Sequence, residues 1–216
     1  MNEAARAIHP DFAAACRTAA EAGRRAADLE AALRPLTRLA RDALGDPAAA
    51  TRPGALKAGE RDYRVAGVFV VTPDRAYNML VASVGFPPEQ RRLAIPIDWN
   101  HPGRVVATER PLLLANTDEH AEFRQFLASS RMGSSVYHPI HAGGRMVAQI
   151  VAAAQARGTY GGADLDALGA LASLAGWAWI EHAGDDWLAA DYPPPDLWRA
   201  EERAVAGSAP TSGDAP

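Results

Sequence analysis

Cysteine and long apolar runs are nearly absent from this 216-residue chain. Cys16 is the single cysteine, so the chain cannot form an internal disulfide, which is typical of proteins in a reducing cytoplasm. No segment reaches the roughly 18 apolar residues that a membrane-spanning helix needs, and the first residues lack the apolar stretch of a signal peptide. We therefore expect a cytoplasmic protein without a membrane partner.

Basic charge is also scarce. The 22 lysine and arginine residues are outnumbered by 26 aspartate and glutamate residues, which gives a net charge of −4. Only Lys57 among the basic residues is a lysine, a bias typical of GC-rich bacterial genomes. Because no basic face is available to neutralise a run of phosphates, we expect no nucleic-acid partner.

Two amphipathic segments flank the middle of the chain. Apolar residues recur every three or four positions in the N-terminal segment, residues 1–44, and predict a helix that kinks or restarts at Pro35. Residues 45–62 are rich in proline, alanine and glycine and read as a linker. A second helix with one apolar face is predicted over residues 165–182. The C-terminal extension, residues 184–216, is expected to end in about a dozen mobile residues.

Short apolar runs between these helices predict strands. Residues 63–71 and 77–84 form one predicted hairpin, and residues 134–140 and 146–154 form another, joined by a turn with paired glycines. Four large apolar residues in the C-terminal extension are expected to dock on the domain or on a partner, because solvating them is costly: Trp187, Tyr192, Leu197 and Trp198.

The sequence of residues 93–137 predicts a strand, a short helix, a strand, a helix and a strand, joined by very short connections. This order, together with the hairpins, resembles a GAF domain over about residues 63–182. The resemblance implies an α/β (α+β) fold, in which residues 63–183 form an antiparallel sheet flanked by long N-terminal and C-terminal helices. It also implies a ligand pocket between one sheet face and the connection over residues 86–126.

The sharpest local feature is the start of the short helix. Asn100 is a candidate N-cap and Pro102 fits the first turn, so we expect unpaired backbone N–H groups near Gly103 and Arg104. Such a helix N-terminus can hold a small anion, with Trp99 as an apolar wall. The alternative is that Asn100 only caps the helix and that Arg104 forms a surface ion pair with Glu109 or Asp118.

Histidines raise the question of a metal or haem. Imidazoles suit such groups, but the spacing of His101, His120, His138 and His141 matches no ligand motif. No cofactor and no catalytic residue is therefore assigned. The predicted ligand-binding residues are Trp99, His101, Gly103, Arg104, Asn116, His120 and Tyr137.

The resemblance implies a sensor that binds a small molecule, forms a homodimer and signals through its flanking helices to a separate protein. Sulfoxide reduction and covalent bilin attachment are disfavoured because both need thiols at the pocket, and Cys16 lies outside the resembling region. The cyclic-nucleotide signature of the family is not reproduced around Asn116. Two alternatives remain: a small enzyme or metal- or haem-binding protein that uses His101 or His120, and a structural dimerisation module.

Overall fold

The computed structural model describes residues 11–120 and 132–201. Most of the helix that the sequence predicts between Asn116 and Ser134 lies outside these residues, as does the end of the C-terminal extension.

The described residues form one sheet of seven strands, in the order β4-β5-β6-β1-β2-β3-β7. All neighbouring strands pair antiparallel except β3 and β7, which are parallel. The α+β fold and the antiparallel sheet predicted from the sequence are confirmed, and six of the seven strands lie where the apolar runs placed them. The strands are β1 (Arg64–Val71), β2 (Tyr77–Val84), β3 (Leu93–Pro96), β4 (Leu112–Leu114), β5 (Ser134–Ala142), β6 (Arg145–Ala154) and β7 (Trp198–Arg199).

Five α-helices accompany the sheet in the described part of the chain. Within residues 11–120 and 132–201, none of them combines the length and apolar character needed to cross a bilayer. The helices are α1 (Phe12–Arg24), α2 (Leu29–Ala43), α3 (Asn100–Thr108), α4 (Gly162–Glu181) and α5 (Gly184–Ala190).

The helical segment does not restart at Pro35, so that part of the prediction is wrong, whereas a kink at Pro35 stays a prediction. Pro35 lies inside α2, and the chain instead leaves the helical conformation between α1 and α2. Asp28 explains the position of the break, because its carboxylate accepts a hydrogen bond from the Ala31 N–H at 2.8 Å and caps the start of α2. The alanine-rich apolar stripe is continuous across the break, so periodicity alone did not reveal it.

The sheet has two faces with different coverings. On one, the helical face, α1, α2 and α4 pack against alternate strand residues such as Val68, Ile150 and Ala152 to form the larger core. On the other, the α3 face, α3 covers a smaller core that includes Phe69 and Val151. Side chains alternate between the two faces along a strand, so β1, β2, β5 and β6 each contribute to both cores.

The C-terminal extension docks on the domain, which is one of the two outcomes predicted for its large apolar residues; the other was docking on a partner. Trp187, Tyr192 and Leu197 pack against the helical-face core, and Trp198 packs against the α3-face core. The Tyr192 hydroxyl also donates to a carboxylate oxygen of Asp74 at 2.9 Å. The two-residue strand β7 was not predicted, because so short a strand has no readable periodicity.

Candidate functional site

Three of the predicted ligand-binding side chains meet beneath the start of α3. His101, in the first turn of α3, is 3% exposed. Its ring lies edge-on to the ring of His120, with 5.6 Å between the ring centroids. The centroid of the Tyr137 ring, on β5, lies 6.5 Å from that of His101. Helix α3, the turn that follows β4 and strand β5 therefore place imidazole and phenol groups together on the α3 face.

Tyr137 supplies a neutral hydroxyl to this cluster. Burial raises the pKa of the Tyr137 hydroxyl above its ordinary value, so the group stays protonated at neutral pH. A protonated phenol can donate a hydrogen bond as well as accept one. The cluster of His101, His120 and Tyr137 can thus offer both donors and acceptors to a small polar ligand without a fixed charge.

The start of α3 differs from the sequence prediction. The N-cap position is Trp99 rather than Asn100, and Asn100 adopts a left-handed backbone conformation with φ of 52°. The Gly103 N–H donates to the Trp99 carbonyl oxygen at 3.0 Å. The prediction of an unpaired N–H at Gly103 is therefore wrong, because the helix begins one residue earlier than the capping pattern suggested.

Gly103 has a packing role at this turn. A Cβ atom at position 103 would lie 2.4 Å from the carbonyl carbon of Asp98 and 2.7 Å from its oxygen. Real Cβ atoms do not approach backbone atoms this closely. The absence of a side chain at Gly103 allows the first turn of α3 to fold back onto the residues that precede it.

The two surface partners considered for Arg104 have other contacts. Arg104 itself is exposed on α3. Asp118 pairs with Arg157 at 3.0 Å and with Lys57 at 2.6 Å. The Oε2 atom of Glu109 lies 3.0 Å from the Nε2 atom of His141, within hydrogen-bond distance. Among residues 11–120 and 132–201, no ion pair joins Arg104 to Glu109 or Asp118, and ligand binding by Arg104 stays a prediction.

Asn116 stabilises a local turn. Its side-chain oxygen accepts from the Asp118 N–H at 3.1 Å, and its side-chain nitrogen donates to a carboxylate oxygen of Glu119 at 2.9 Å. Both ends of the amide are therefore engaged in the short helical turn Thr117–Glu119 that leads to His120. Direct contact between Asn116 and a ligand stays a prediction, because each end of the amide keeps a further hydrogen-bonding position.

A buried amide pair on the α3 face was missed by the sequence analysis. The Gln149 side-chain nitrogen donates to the Asn78 side-chain oxygen at 3.0 Å and to the Pro102 carbonyl oxygen at 3.1 Å. Both amides are fully buried, and they connect β2 and β6 to the first turn of α3. An amide residue inside each of two largely apolar strands was the available signal.

This amide pair is incompletely satisfied. The nitrogen of Asn78, the oxygen of Gln149 and the side-chain nitrogen of Asn100 have no hydrogen-bond partner among the described residues. A buried polar group without a partner typically costs about 1–3 kcal/mol. The polar contacts beneath α3 therefore leave some buried atoms unpaired, and these atoms lower the stability of the fold. Such unpaired buried groups are found more often at functional sites than in ordinary cores.

The histidines do not form a recognisable metal centre in the described part of the chain. Residues 11–120 and 132–201 contain no group of three or more histidine, cysteine, aspartate or glutamate side chains placed to hold one ion. The His138 ring lies against α4 at Gly169, on the helical face of the sheet, and the exposed His141 ring contacts Glu109.

Cys16 lies on the opposite side of the sheet from this site. It is half-buried in α1 and packs against the helical-face core, and burial raises the pKa of its thiol. We expect Cys16→Ser to change the free energy of unfolding by less than about 1 kcal/mol and to leave ligand binding unchanged. Urea unfolding and calorimetric titration check this, and lost binding in the folded variant would contradict it.

Comparisons with known proteins agree with this architecture. The family model described as GAF domain matches residues 28–179. No curated protein sequence matches the chain. The GAF domain of the phosphoenolpyruvate-protein phosphotransferase from Coxiella burnetii is 20% identical, with a TM-score of 0.64 over 82% of this chain and 96% of that one.

Two further solved structures are similar at lower identity. The GAF domain of the Acinetobacter phosphoenolpyruvate-protein phosphotransferase is 16% identical, with a TM-score of 0.63 over 82% of this chain and 97% of that chain. The free methionine-R-sulfoxide reductase from Neisseria meningitidis, solved with its substrate, is 16% identical, with a TM-score of 0.62 over 86% and 99%. At these identities the likeness shows the fold alone.

Proposed function

The chain belongs to the GAF domain family, and we propose that it acts as a cytoplasmic sensor that binds a small ligand between α3 and the sheet. The observation that carries the proposal is the convergence of His101, His120 and Tyr137 on the α3 face. Polar groups that meet at one largely apolar site are the usual means by which a protein fixes the orientation of a small molecule. Trp99 packs against the same core and supplies an apolar wall.

An anionic ligand would depend on Arg104 in this arrangement. Among the described residues, the buried polar side chains near the start of α3 are amides, hydroxyls and the His101 imidazole, and the Gly103 N–H is already paired. Arg104 is the cationic member of the predicted set, and its side chain is exposed on α3. The response of binding to Arg104→Ala therefore separates an anionic from a neutral ligand.

The signal has a physical route from α3 to the flanking helices. Gln149 links the first turn of α3 to β6, and the residues on either side of Gln149 face the helical core. A ligand that shifts α3 would pull on β6 and hence on the packing of α4. We propose that a homodimer passes this change to a separate signalling protein.

The test begins with native mass spectrometry of the purified protein to identify a bound small molecule. Calorimetric titration of that molecule then compares wild type with His101→Leu, Tyr137→Phe and Arg104→Ala. We expect His101→Leu to weaken binding about tenfold or more and Tyr137→Phe about threefold to tenfold, since each loses a hydrogen-bonding group. Full affinity in both His101→Leu and Tyr137→Phe would show that the ligand does not bind on the α3 face, whatever the result for Arg104→Ala.

Reductase chemistry is not proposed. A sulfenic acid formed on sulfoxide reduction needs a second thiol to resolve it, and Cys16 is the single cysteine of the chain. Cys16 also lies on the face of the sheet away from His101.

Metal or haem binding is the second candidate function, and the contact between the His101 and His120 rings favours it. Two neutral imidazoles can serve as ligands if other groups complete the site. Metal analysis and an absorption spectrum of the purified protein test this candidate. Stoichiometric iron, zinc or copper that is lost in His120→Ala would support it, whereas a metal-free protein that still binds its small ligand would exclude it.

A further inference from the structure

A cavity lies on the helical face of the sheet, where the start of α2 meets α5 and the residues just before β3. This α2–α5 cavity has a volume of about 210 Å³, which is room for about seven water molecules. Two of its lining residues, Met79 and Leu188, belong to the helical-face core. The cavity is therefore separate from the site on the α3 face.

Arg92 brings a buried positive charge to the α2–α5 cavity. Its side chain lines the cavity and is only 7% exposed. The Nη2 atom donates to a carboxylate oxygen of Glu30 at 2.6 Å, and the Nε atom lies 3.9 Å from a carboxylate oxygen of Asp196. The Nη1 atom is buried and has no hydrogen-bond partner among the described residues. One corner of the planar guanidinium therefore keeps donors that an additional acceptor could use.

The position of the Arg92 guanidinium is fixed by several contacts. Its Cζ atom lies 6.0 Å from the centroid of the Trp187 ring. The Arg92 N–H donates to the Leu80 carbonyl oxygen at 3.2 Å, and the backbone adopts a left-handed conformation with φ of 61°. A donor that is already held in place loses little conformational entropy when a ligand binds to it.

Glu30 does not require Arg92 alone to balance its charge. Its carboxylate oxygens lie 2.8 Å from the nearest nitrogen of Arg34 and 3.5 Å from the nearest nitrogen of Arg91. Three arginines thus surround one buried carboxylate, with the half-exposed Asp196 beside two of them. This group of side chains has positive charge to spare for an anion.

Two further acidic residues, Asp28 and Asp191, line the α2–α5 cavity. Both are exposed, and the Asp28 carboxylate already accepts from the Ala31 N–H at the start of α2. Water and salt screen exposed charges, whereas a buried charge such as that of Arg92 is screened much less. The preference of the cavity for the charge of a ligand is therefore set by Arg92.

We propose that the α2–α5 cavity is a second ligand site, which binds a small carboxylate with an apolar body. The carboxylate accepts from Nη1 of Arg92, and Arg91, whose side chain is 57% exposed, approaches it from the opening. The apolar body packs against the apolar part of the wall, which comprises Met79, Trp187, Leu188 and Pro194. Inorganic phosphate would leave this apolar wall without a contact. The proposal does not rest on the ligand site of the α3 face.

The first experiment is calorimetric titration of the full chain with 4-methylpentanoate. We expect saturable binding with a dissociation constant of about 1 mM or below. The uncharged amide of the same shape, 4-methylpentanamide, should bind at least about tenfold more weakly, because hydrogen bonds between two charged groups are the stronger ones. Inorganic phosphate, which lacks the apolar body, should also bind at least about tenfold more weakly.

The second experiment repeats the 4-methylpentanoate titration with variants of the two arginines. Arg92→Lys should weaken binding about tenfold or more, because lysine keeps a charge near Glu30 but lacks the Nη1 corner. Arg91→Ala should weaken binding about threefold, as expected for a partly exposed charge. Arg38→Ala is the matched control, because it removes an exposed arginine of α2 that does not line the cavity, and it should bind as wild type does.

A further variant, His101→Leu, separates this site from the α3 face, and it should bind 4-methylpentanoate with full affinity. Loss of binding in His101→Leu would place the carboxylate on the α3 face and overturn the proposal. So would an absence of saturable binding to wild type up to about 20 mM. Equally tight binding of the amide or of phosphate would also overturn the proposed ligand class.

Full affinity in both Arg92→Lys and Arg91→Ala would likewise contradict the proposal. Circular dichroism establishes that each variant is folded. If Arg92→Lys proves unfolded, Arg91→Ala alone decides, because its exposed side chain can be removed while Glu30 keeps Arg34 and Arg92.

Discussion

Replacing Arg157 by alanine is expected to lower the free energy of unfolding by about 3–5 kcal/mol, the usual cost of removing one partner from a buried ion pair. The Arg157 side chain is only 8% exposed and contacts the carboxylates of Glu60 and Asp118. Its guanidinium also donates to the Gln155 carbonyl oxygen at 3.1 Å. The variant would leave the Glu60 carboxylate, which is only 10% exposed, without its arginine partner, whereas Asp118 would keep Lys57 alone.

Urea unfolding monitored by circular dichroism measures this effect. Arg38→Ala is the matched control, because Arg38 is an exposed arginine on α2 and its loss should change stability by less than about 0.5 kcal/mol. Arg157→Lys should be intermediate, since lysine keeps the charge but lacks the planar guanidinium that reaches two carboxylates at once. A loss below about 1 kcal/mol in Arg157→Ala would show that the network contributes little.

The same network gives stability a defined dependence on pH. Hydrogen bonds from Arg157 and Lys57 lower the pKa of Asp118 from 3.8 to about 2. A carboxyl group whose pKa is lower in the folded state stabilises that state fully above its unfolded pKa and less as the pH falls. The contribution of Asp118 should therefore be complete near pH 5 and disappear as the pH falls from about 4 to 2. Asp118→Asn should show a shallower loss over that range.

The sequence predicted local structure well because the signals were local. The predicted strand over residues 77–84 has the observed bounds of β2, and the paired glycines Gly143 and Gly144 do join β5 to β6. Features that depend on contacts between residues far apart in the sequence were harder to predict. Asp28 caps the start of α2, and the two-residue strand β7 is formed by pairing with the edge strand β3.

The candidate site shows the same division. His101, His120 and Tyr137 could be named from the order of elements, but their proximity depends on the pairing of β4 with β5 and on how α3 packs across the sheet. Asn78 and Gln149 were missed because a polar residue in an apolar strand gives no partner by sequence alone. The prediction about the Gly103 N–H was wrong through a shift of one residue in the helix start.

Replacing Gly103 by alanine is the sharpest test of how α3 is positioned, and we expect it to lower the free energy of unfolding by about 3 kcal/mol. The new Cβ would lie 2.4 Å from the Asp98 carbonyl carbon. The atoms it meets belong to the backbone, so no side-chain rotation can relieve the contact. The first turn of α3 must move, and His101 in that turn moves with it.

Two measurements on Gly103→Ala therefore belong together, urea unfolding and calorimetric titration of the ligand that the purified protein retains. We expect both stability and affinity to fall, because the turn that carries His101 also contacts Gln149 through the Pro102 carbonyl oxygen. Gly162→Ala is the matched control. A Cβ atom at position 162, the first residue of α4, would meet no atom within 4 Å. That variant should therefore be as stable as wild type or slightly more stable. Equal stability of the two variants would mean that the backbone at Asp98 can move without a cost in free energy. A destabilised Gly103→Ala variant that binds ligand with full affinity would mean that ligand binding does not depend on the position of α3.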